Sequence, residues 1–419
     1  MIQTDVMVFD KQGHFVPDLK MNQFELRVNG KVQPIEFFEV ISAGSMRDGE
    51  IWAKAQGKPV PPPASPAANA PNPGRTLLIF LDDWHMDDEN AILSRRAVTN
   101  LLNTSIGPDD CVGIFSASGE LAAMKLPAND KAALLASLGR YNFHSPGVMD
   151  ITNPPMTEIQ AQLIEQNDYD TLAYFVGSVL GVPVVYEGTN GWTPQGTTIS
   201  GGFRIKCDLA EKEVRRRAAS LAETYASISQ ITLTALLSLL RDAEGLPGRK
   251  LVYFLSDGFV LQYRRNEIVS RLTELCTAAA RGGTLIYTLD SRGLVTLTPD
   301  AETGNDPTMV SRLRPRFDMP MARVNIPASE TSAPWQALRA LAVDSGGRFI
   351  NNTNDIELAL ITTLNEISRY YILGWHVEPE KLRGGKYSTI SASIKGRSDL
   401  SVRVRRGSLD LSKLVQEKK

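Results

Sequence analysis

Cysteine, unbroken apolar runs and net charge are all scarce in this chain, and each scarcity removes a class of function. Its 3 cysteines, Cys111, Cys207 and Cys276, are odd in number, far apart and in no Cys-x-x-Cys spacing. Neither a disulfide framework nor a zinc site is expected from them; small buried side chains are. No apolar stretch approaches the roughly 20 residues that a membrane-spanning helix needs, and no charged, apolar and small-residue series of the secretory kind opens the chain. With 45 Lys and Arg against 47 Asp and Glu, the formal charge is -2, so no global field favours nucleic acid or an anionic membrane. The basic clusters at 215–217 and 403–406 read as a solvated helix face and a strand edge. Also missing are an HExxH pair, a glycine-rich phosphate loop and a nucleophile paired with its base; Ser256 precedes Asp257, but Ser-Asp-Gly is no nucleophile elbow.

What is present is a globular chain of 419 residues, long enough for two or three domains with full cores. Its organising stretch is residues 75–88, RTLLIFLDDWHMDD. The apolar run 76–81 is too short for a helix and too apolar for a half-wet strand, which predicts the central strand of a parallel sheet. Ligands bind just beyond the carboxyl ends of such strands, where Asp82, Asp83 and His85 fall. A second run, 251–255, leads into Ser256-Asp257-Gly258. If the two strands are neighbours, their carboxylates are expected to converge on one crevice.

Residues 1–40 read as β structure. Phe24, Leu26 and Val28 alternate onto one face, Asn29-Gly30 supplies a tight hairpin turn, and 31–38 returns. Apolar residues thin out over 42–74, and 58–73 is Pro- and Ala-rich, the composition of a semi-rigid linker. Then follow a helix through Leu93, Ala97, Val98, Leu101 and Leu102, a strand over 111–117, and a helix opened by Asn129 or Asp130. That alternation predicts a doubly wound α/β fold. Helical sequence capped by Thr157 and Gln160 runs on toward Val176, 182–203 is expected to be irregular, and 209–243 to be one helix. Past 251–255 come a helix over 268–280, a strand over 284–289, a loop over 293–331, a helix over 335–343, a short strand at 348–351 and a helix over 355–367. From Tyr370 the period returns to two, giving strands at 370–377, 386–394 and 401–404.

The expected fold class is therefore α/β: a mostly parallel sheet inserted into a discontinuous antiparallel β-sandwich. In this division 1–41 and 369–407 form the sandwich, 42–74 the linker, 75–368 the α/β domain with a helical insertion near 141–207, and 408–419 a tail.

Several blocks, in order, resemble the VWFA-related family described from acidobacteria. They are VMVFDKQGHFVPDLKMNQFELRVNGKVQPIEFF, LLIFLDDWHM, PDDCVGIFSASGEL, MTEIQAQLIEQND, PGRKLVYFLSDGF, GTLIYTLDSRGL, SGGRFINNTNDIELAL and YYILGW. The resemblance implies a von Willebrand factor A-type domain between β segments, export from the cell and no established activity. The export signal expected upstream of Met1 is missing, which points to a shortened, mis-started or mature chain. In such domains the first strand ends in Asp-x-Ser-x-Ser, a second loop offers a Thr, and a later strand ends in Asp-Gly, together holding a divalent cation with an open position for a partner's carboxylate. Asp82 and Asp257 fit that frame, but Trp84 and Met86 stand at the serine positions. Counting from Asp83, the alternating set is Asp83, His85 and Asp87, better suited to Mn²⁺ or Zn²⁺ than to Mg²⁺. Thr197 or Thr198, beside Gly196, is the candidate in the second loop. The competing reading is that the acids cap the following helix, His85 is a hydrogen-bonded loop residue and Asp257 shapes its turn.

The leading expectation is a non-enzymatic protein-binding module presenting the crevice around Asp82, Asp83, His85 and Asp257, with one divalent cation (Mg²⁺, Ca²⁺ or Mn²⁺) or none. The alternatives are a metal-assisted hydrolase using Asp83, His85, Asp87 and Asp257, and a metal-free scaffold recognised through its loops.

Overall fold

The computed structural model describes residues 2–55, 74–121, 130–143, 150, 152–188, 191–194, 201–246, 248–260, 266–294, 328–376 and 390–404. The chain opens with β1 (Ile2–Phe9), β2 (Phe24–Val28), β3 (Lys31–Gln33), β4 (Phe37–Ser42) and α1 (Met46–Ala55). Next come β5 (Thr76–Leu81), α2 (Asp88–Thr104), β6 (Cys111–Ser116) and α3 (Lys131–Arg140). The middle holds α4 (Glu158–Glu165), α5 (Tyr169–Leu180), β7 (Val184–Tyr186), β8 (Trp192–Pro194) and α6 (Gly201–Ala243). Then follow β9 (Lys250–Ser256), α7 (Asn266–Gly282), β10 (Thr284–Asp290), α8 (Ala328–Ser345), β11 (Phe349–Ile350) and α9 (Ile356–Glu366). The chain returns to β structure in β12 (Arg369–Trp375), β13 (Ile390–Ile394) and β14 (Ser401–Val404).

Five parallel strands flanked by helices make the α/β part, in the order β11-β10-β9-β5-β6. The two apolar runs are neighbours, paired from Thr76↔Lys250 to Leu81↔Leu255. From β5 the chain winds outward to β6 and later resumes on the other side at β9, so the direction of winding reverses between β5 and β9. The crossing connections diverge there, which opens a crevice at the carboxyl edge. Because successive residues of a strand face opposite ways, Leu77, Ile79 and Leu81 join a core with α2, α3 and α9. Leu78 and Phe80 join a second core with α6, α7 and α8.

Helix α6 has 43 residues, about 65 Å at 1.5 Å per residue. Its carboxyl half packs Leu233, Leu236, Leu237 and Leu240 on the sheet. Its amino half carries α4, α5 and the β7–β8 pair around Phe175, Val176, Trp192, Cys207 and Val214. The helix begins eight residues before the expected 209. Two glycines there each disfavour helix by about 1 kcal/mol, but burying Cys207 and packing Phe203 in the same cluster outweighs them.

The β segments from the two ends of the chain combine. One antiparallel sheet is β14-β1-β12-β4, another β13-β2-β3, and both contribute to one apolar cluster containing Val6, Val8, Phe24, Leu26, Tyr371, Leu373 and Trp375. The expected turn at Asn29-Gly30 is present, both residues having left-handed φ (50° and 77°), with Val28 paired to Lys31. The expected linker over 42–74 instead begins as helix α1, which buries Ile51 and Asp48. Asp48 accepts the backbone N–H of Gly44 and of Arg249 and the Tyr370 hydroxyl, fastening α1 to both parts of the molecule. Of the Pro- and Ala-rich linker, 58–73 lies outside the described residues, as do Thr197, Thr198, most of the 293–331 loop and the 408–419 tail.

Candidate functional site

The strand-end carboxylates do not converge, and the strand period explains why. Asp82 continues the Leu78 and Phe80 side toward α6, whereas Asp83 continues the Leu77, Ile79 and Leu81 side toward α3. On β9 the register sets Ser256, not Asp257, opposite Asp82, since Leu81 pairs with Leu255. Asp257 therefore falls on the α2 side.

Asp82 is fully buried and its two oxygens are filled by the protein. Thr232 Oγ1 donates to Oδ1 at 2.9 Å, Ser256 Oγ to Oδ2 at 2.6 Å, and His85 Nδ1 lies 2.9 and 2.8 Å from the two oxygens. The other imidazole nitrogen, Nε2, is 3.1 Å from Ser229 Oγ. Burial pulls the His85 pKa down, but the Asp82 carboxylate, with Glu158 and Asp257 beyond, outweighs it and the net shift is upward. Phe259 packs on the imidazole, ring centroids 5.2 Å apart. Burial pushes Glu158, at the start of α4, up to about 7 despite the pull of His85 and hydrogen bonds from Val260 and Gln162. The amino-terminal helices of the insertion are thus tied to the carboxyl edge of the sheet.

Asp83 accepts the Ser118 N–H at 2.9 Å, the Ser118 hydroxyl at 2.5 Å and the Tyr141 hydroxyl. Asp87 is the N-cap of α2, its Oδ1 accepting the Asn90 N–H at 2.8 Å. Asp257 Oδ2 accepts the Asp87 N–H at 3.1 Å and Asn90 Nδ2 at 2.9 Å, while its Oδ1 is buried without a partner. Burial pushes Asp257 up to about 7; those two hydrogen bonds resist, and the Asp87 and Asp290 charges reinforce the rise. After Asp257 the chain must turn through Gly258, at φ +85°, where a Cβ would sit 2.6 Å from the Pro334 carbonyl oxygen, so only glycine fits.

These residues do not fit a divalent cation. Asp82 already receives hydroxyl and imidazole donors on both oxygens, Asp83 a backbone N–H on Oδ1 and two hydroxyls on Oδ2; the two face opposite sides of the sheet, and no group of three or more His, Cys, Asp and Glu side chains among the described residues is placed to hold a metal. Thr198 lies outside the described residues.

Sequence reading missed Ser229, Thr232, Ser118, Tyr141 and Glu158. A signal existed for two of them. Ala226, Ser229, Leu233, Leu236 and Leu240 form one helical stripe, with Thr232 beside it; polar residues on a core-facing stripe require a buried polar partner. In the neutral tautomer that donates from Nδ1, Ser229, His85 and Asp82 stand in the order of a serine-hydrolase relay. Yet Ser229 is 1% exposed and lies inside α6, where its own N–H belongs to the helix ladder and offers nothing to an oxyanion.

Among the described residues, an open feature of this edge lies on the α2 side of the sheet, the side on which Asp257 falls. A crevice of about 620 Å³ runs between the start of α2, the residues after β10 and the loop leading into α9. Asp87, Asn90, Arg96, Ser291, Arg292 and Asp355 are among its walls. That volume lies within the roughly 300–1,000 Å³ of ligand pockets.

No protein-family model matches the chain, and no curated protein does. Among solved structures, a similarity is found to an aerotolerance-related membrane protein from Bacteroides fragilis NCTC 9343, a form with multiple mutations to serines. It is 14% identical and covers 70% of this chain and 98% of that chain, with a TM-score of 0.30, an overlap too slight to bear on fold or role here.

Proposed function

We propose that this chain is a non-enzymatic binding module, a von Willebrand A-like α/β domain set in a discontinuous β-sandwich, which offers the crevice at its carboxyl edge to a protein partner. The observation that supports this most is the division of labour at that edge. Carboxylates at the ends of β5 are engaged inside the protein, while the neighbouring crevice is open and lined by polar groups. Recognition in this reading rests on the crevice walls and uses no coordinated cation. Export from the cell, implied by the family resemblance, belongs to the same reading; no described helix is long and apolar enough to cross a membrane.

The test is selection of binding peptides on the purified chain, followed by cross-linking from a photoreactive residue placed at Glu89 on the rim. Selected peptides are expected to cross-link at Glu89 and not from a control position at Asp399. Peptides that cross-link only elsewhere count against the reading.

The order of Ser229, His85 and Asp82 favours a second reading, acyl transfer with Ser229 as nucleophile. Labelling of Ser229 by a fluorophosphonate in the folded protein, absent in His85→Ala, would promote it; the burial of Ser229 predicts no labelling.

A further inference from the structure

Resting on the crevice reading above, we infer that the crevice takes a basic side chain, an arginine in preference to a lysine, from the protein that docks there. Four carboxylates line it: Asp87 and Glu89 from the start of α2, Asp355 and Glu357 from the start of α9. Two guanidinium groups also line it, but Arg292 is held by Asp290 at 2.9 Å, so of these two Arg96 is the one that no carboxylate among the described residues holds. Both helices point their amino ends at the crevice, and each end carries about half a positive charge. Those ends are already met by their own caps, Asp87 Oδ1 on Asn90 N and Asp355 Oδ1 on Leu358 N, both at 2.8 Å. Even with the helix ends counted in full, the walls remain negative, which disfavours a phosphate or a carboxylate and favours a cation.

Acceptors are available to such a cation. Each capping aspartate has a second oxygen with no hydrogen bond among the described residues, and Glu357 uses only Oε2, on Asn100 at 2.7 Å. An independent observation points the same way. Ser291, on the crevice wall and 1% exposed, has an Oγ with no hydrogen-bond partner. A buried hydroxyl without a partner is costly, and because Ser291 stands on the crevice wall, a donor that reaches its Oγ from the crevice would satisfy it. Acceptors spread over two helices and a strand end suit the planar five-donor fork of arginine better than the compact ammonium of lysine.

The experiment compares fluorescein-labelled glycine-serine peptides carrying arginines, lysines or glutamates for binding to the full chain by anisotropy, with cross-linking from a photoreactive residue at the uncharged crevice position Asn354 to locate each. The arginine peptide is expected to bind most tightly. Glu89→Gln combined with Glu357→Gln is expected to weaken it roughly tenfold or more, and Ser291→Ala to weaken it as well. A control removing the same charge far away, Asp170→Asn with Glu187→Gln, is expected to leave affinity within a factor of two or so, since distant exposed charges are screened. Equal losses in the crevice and control variants overturn the inference. Glutamate peptides that cross-link at Asn354 and bind more tightly than arginine peptides overturn it while sparing the crevice reading, and failure of every peptide to cross-link there overturns both.

Discussion

Replacing Asp257 by asparagine perturbs one charge at the carboxyl edge, and the structure sets the sign and size of the effect. Burial, aided by the charges of Asp87 and Asp290, lifts the Asp257 carboxyl from an ordinary 3.8 to about 7, and its Oδ1 has no partner. The folded protein therefore holds this proton where the unfolded chain has released it. The stability it contributes is complete below the unfolded value and is lost as pH rises through the folded one. About three pH units at about 1.4 kcal/mol each gives at most about 4 kcal/mol. Asparagine keeps an oxygen for the Asp87 N–H and has no proton to lose. Asp257→Asn should consequently be more stable than the parent at pH 8 and show a shallower fall in stability between pH 4 and 7, with Glu158, also lifted to about 7, supplying the slope that remains. Urea unfolding at a series of pH values measures both. Identical slopes in parent and variant, or a variant less stable at pH 8, would refute the reasoning, the latter by showing that the Asp257 charge has a favourable partner.

Asp82→Ala leaves Thr232, Ser256 and His85 without their shared acceptor in a site with no access to water, so a loss of about 3–5 kcal/mol is expected in denaturant unfolding; a loss below about 1 kcal/mol contradicts the network. Arg249, 5% exposed, donates to Asp5 of β1 at 2.8 Å and stacks over Tyr370 of β12 at 4.3 Å. Asp5→Ala leaves that guanidinium buried without its carboxylate and should destabilise by a similar amount, with the calorimetric melting temperature as readout; an unchanged melting temperature sinks the claim that this pair joins the β segments to the α/β part.

Much of this architecture was legible in the residues themselves. The unbroken apolar runs at 76–81 and 251–255 have no wet face, which only a sheet covered on both sides permits, and they are indeed adjacent and parallel. Asn29-Gly30 dictated its hairpin because few other pairs adopt two left-handed conformations in succession. Helix α1 was not legible, since Gly49 interrupts its ten residues, a Pro- and Ala-rich stretch follows them, and their place is set by Asp48 meeting Gly44, Arg249 and Tyr370, contacts that include distant segments.

The site was legible by position and not by geometry. Asp82, Asp83, His85 and Asp257 all stand at the carboxyl edge, but alternation along β5 separates Asp82 from Asp83, a consequence the strand period already contained. The register that sets Ser256 against Asp82 was not contained in it, because a shift of one residue between β5 and β9 would have brought Asp257 there instead. Ser229 and Thr232 arrive from a helix about 150 residues away in sequence, and only the polar interruption of an apolar stripe announced them.

Calorimetric titration of Mg²⁺, Ca²⁺, Mn²⁺ and Zn²⁺ into the purified chain tests the account most directly, because its central claim is that the strand-end carboxylates are engaged within the protein. The account predicts no saturable binding that depends on these residues. A stoichiometric site lost in Asp83→Ala or Asp257→Ala would contradict it.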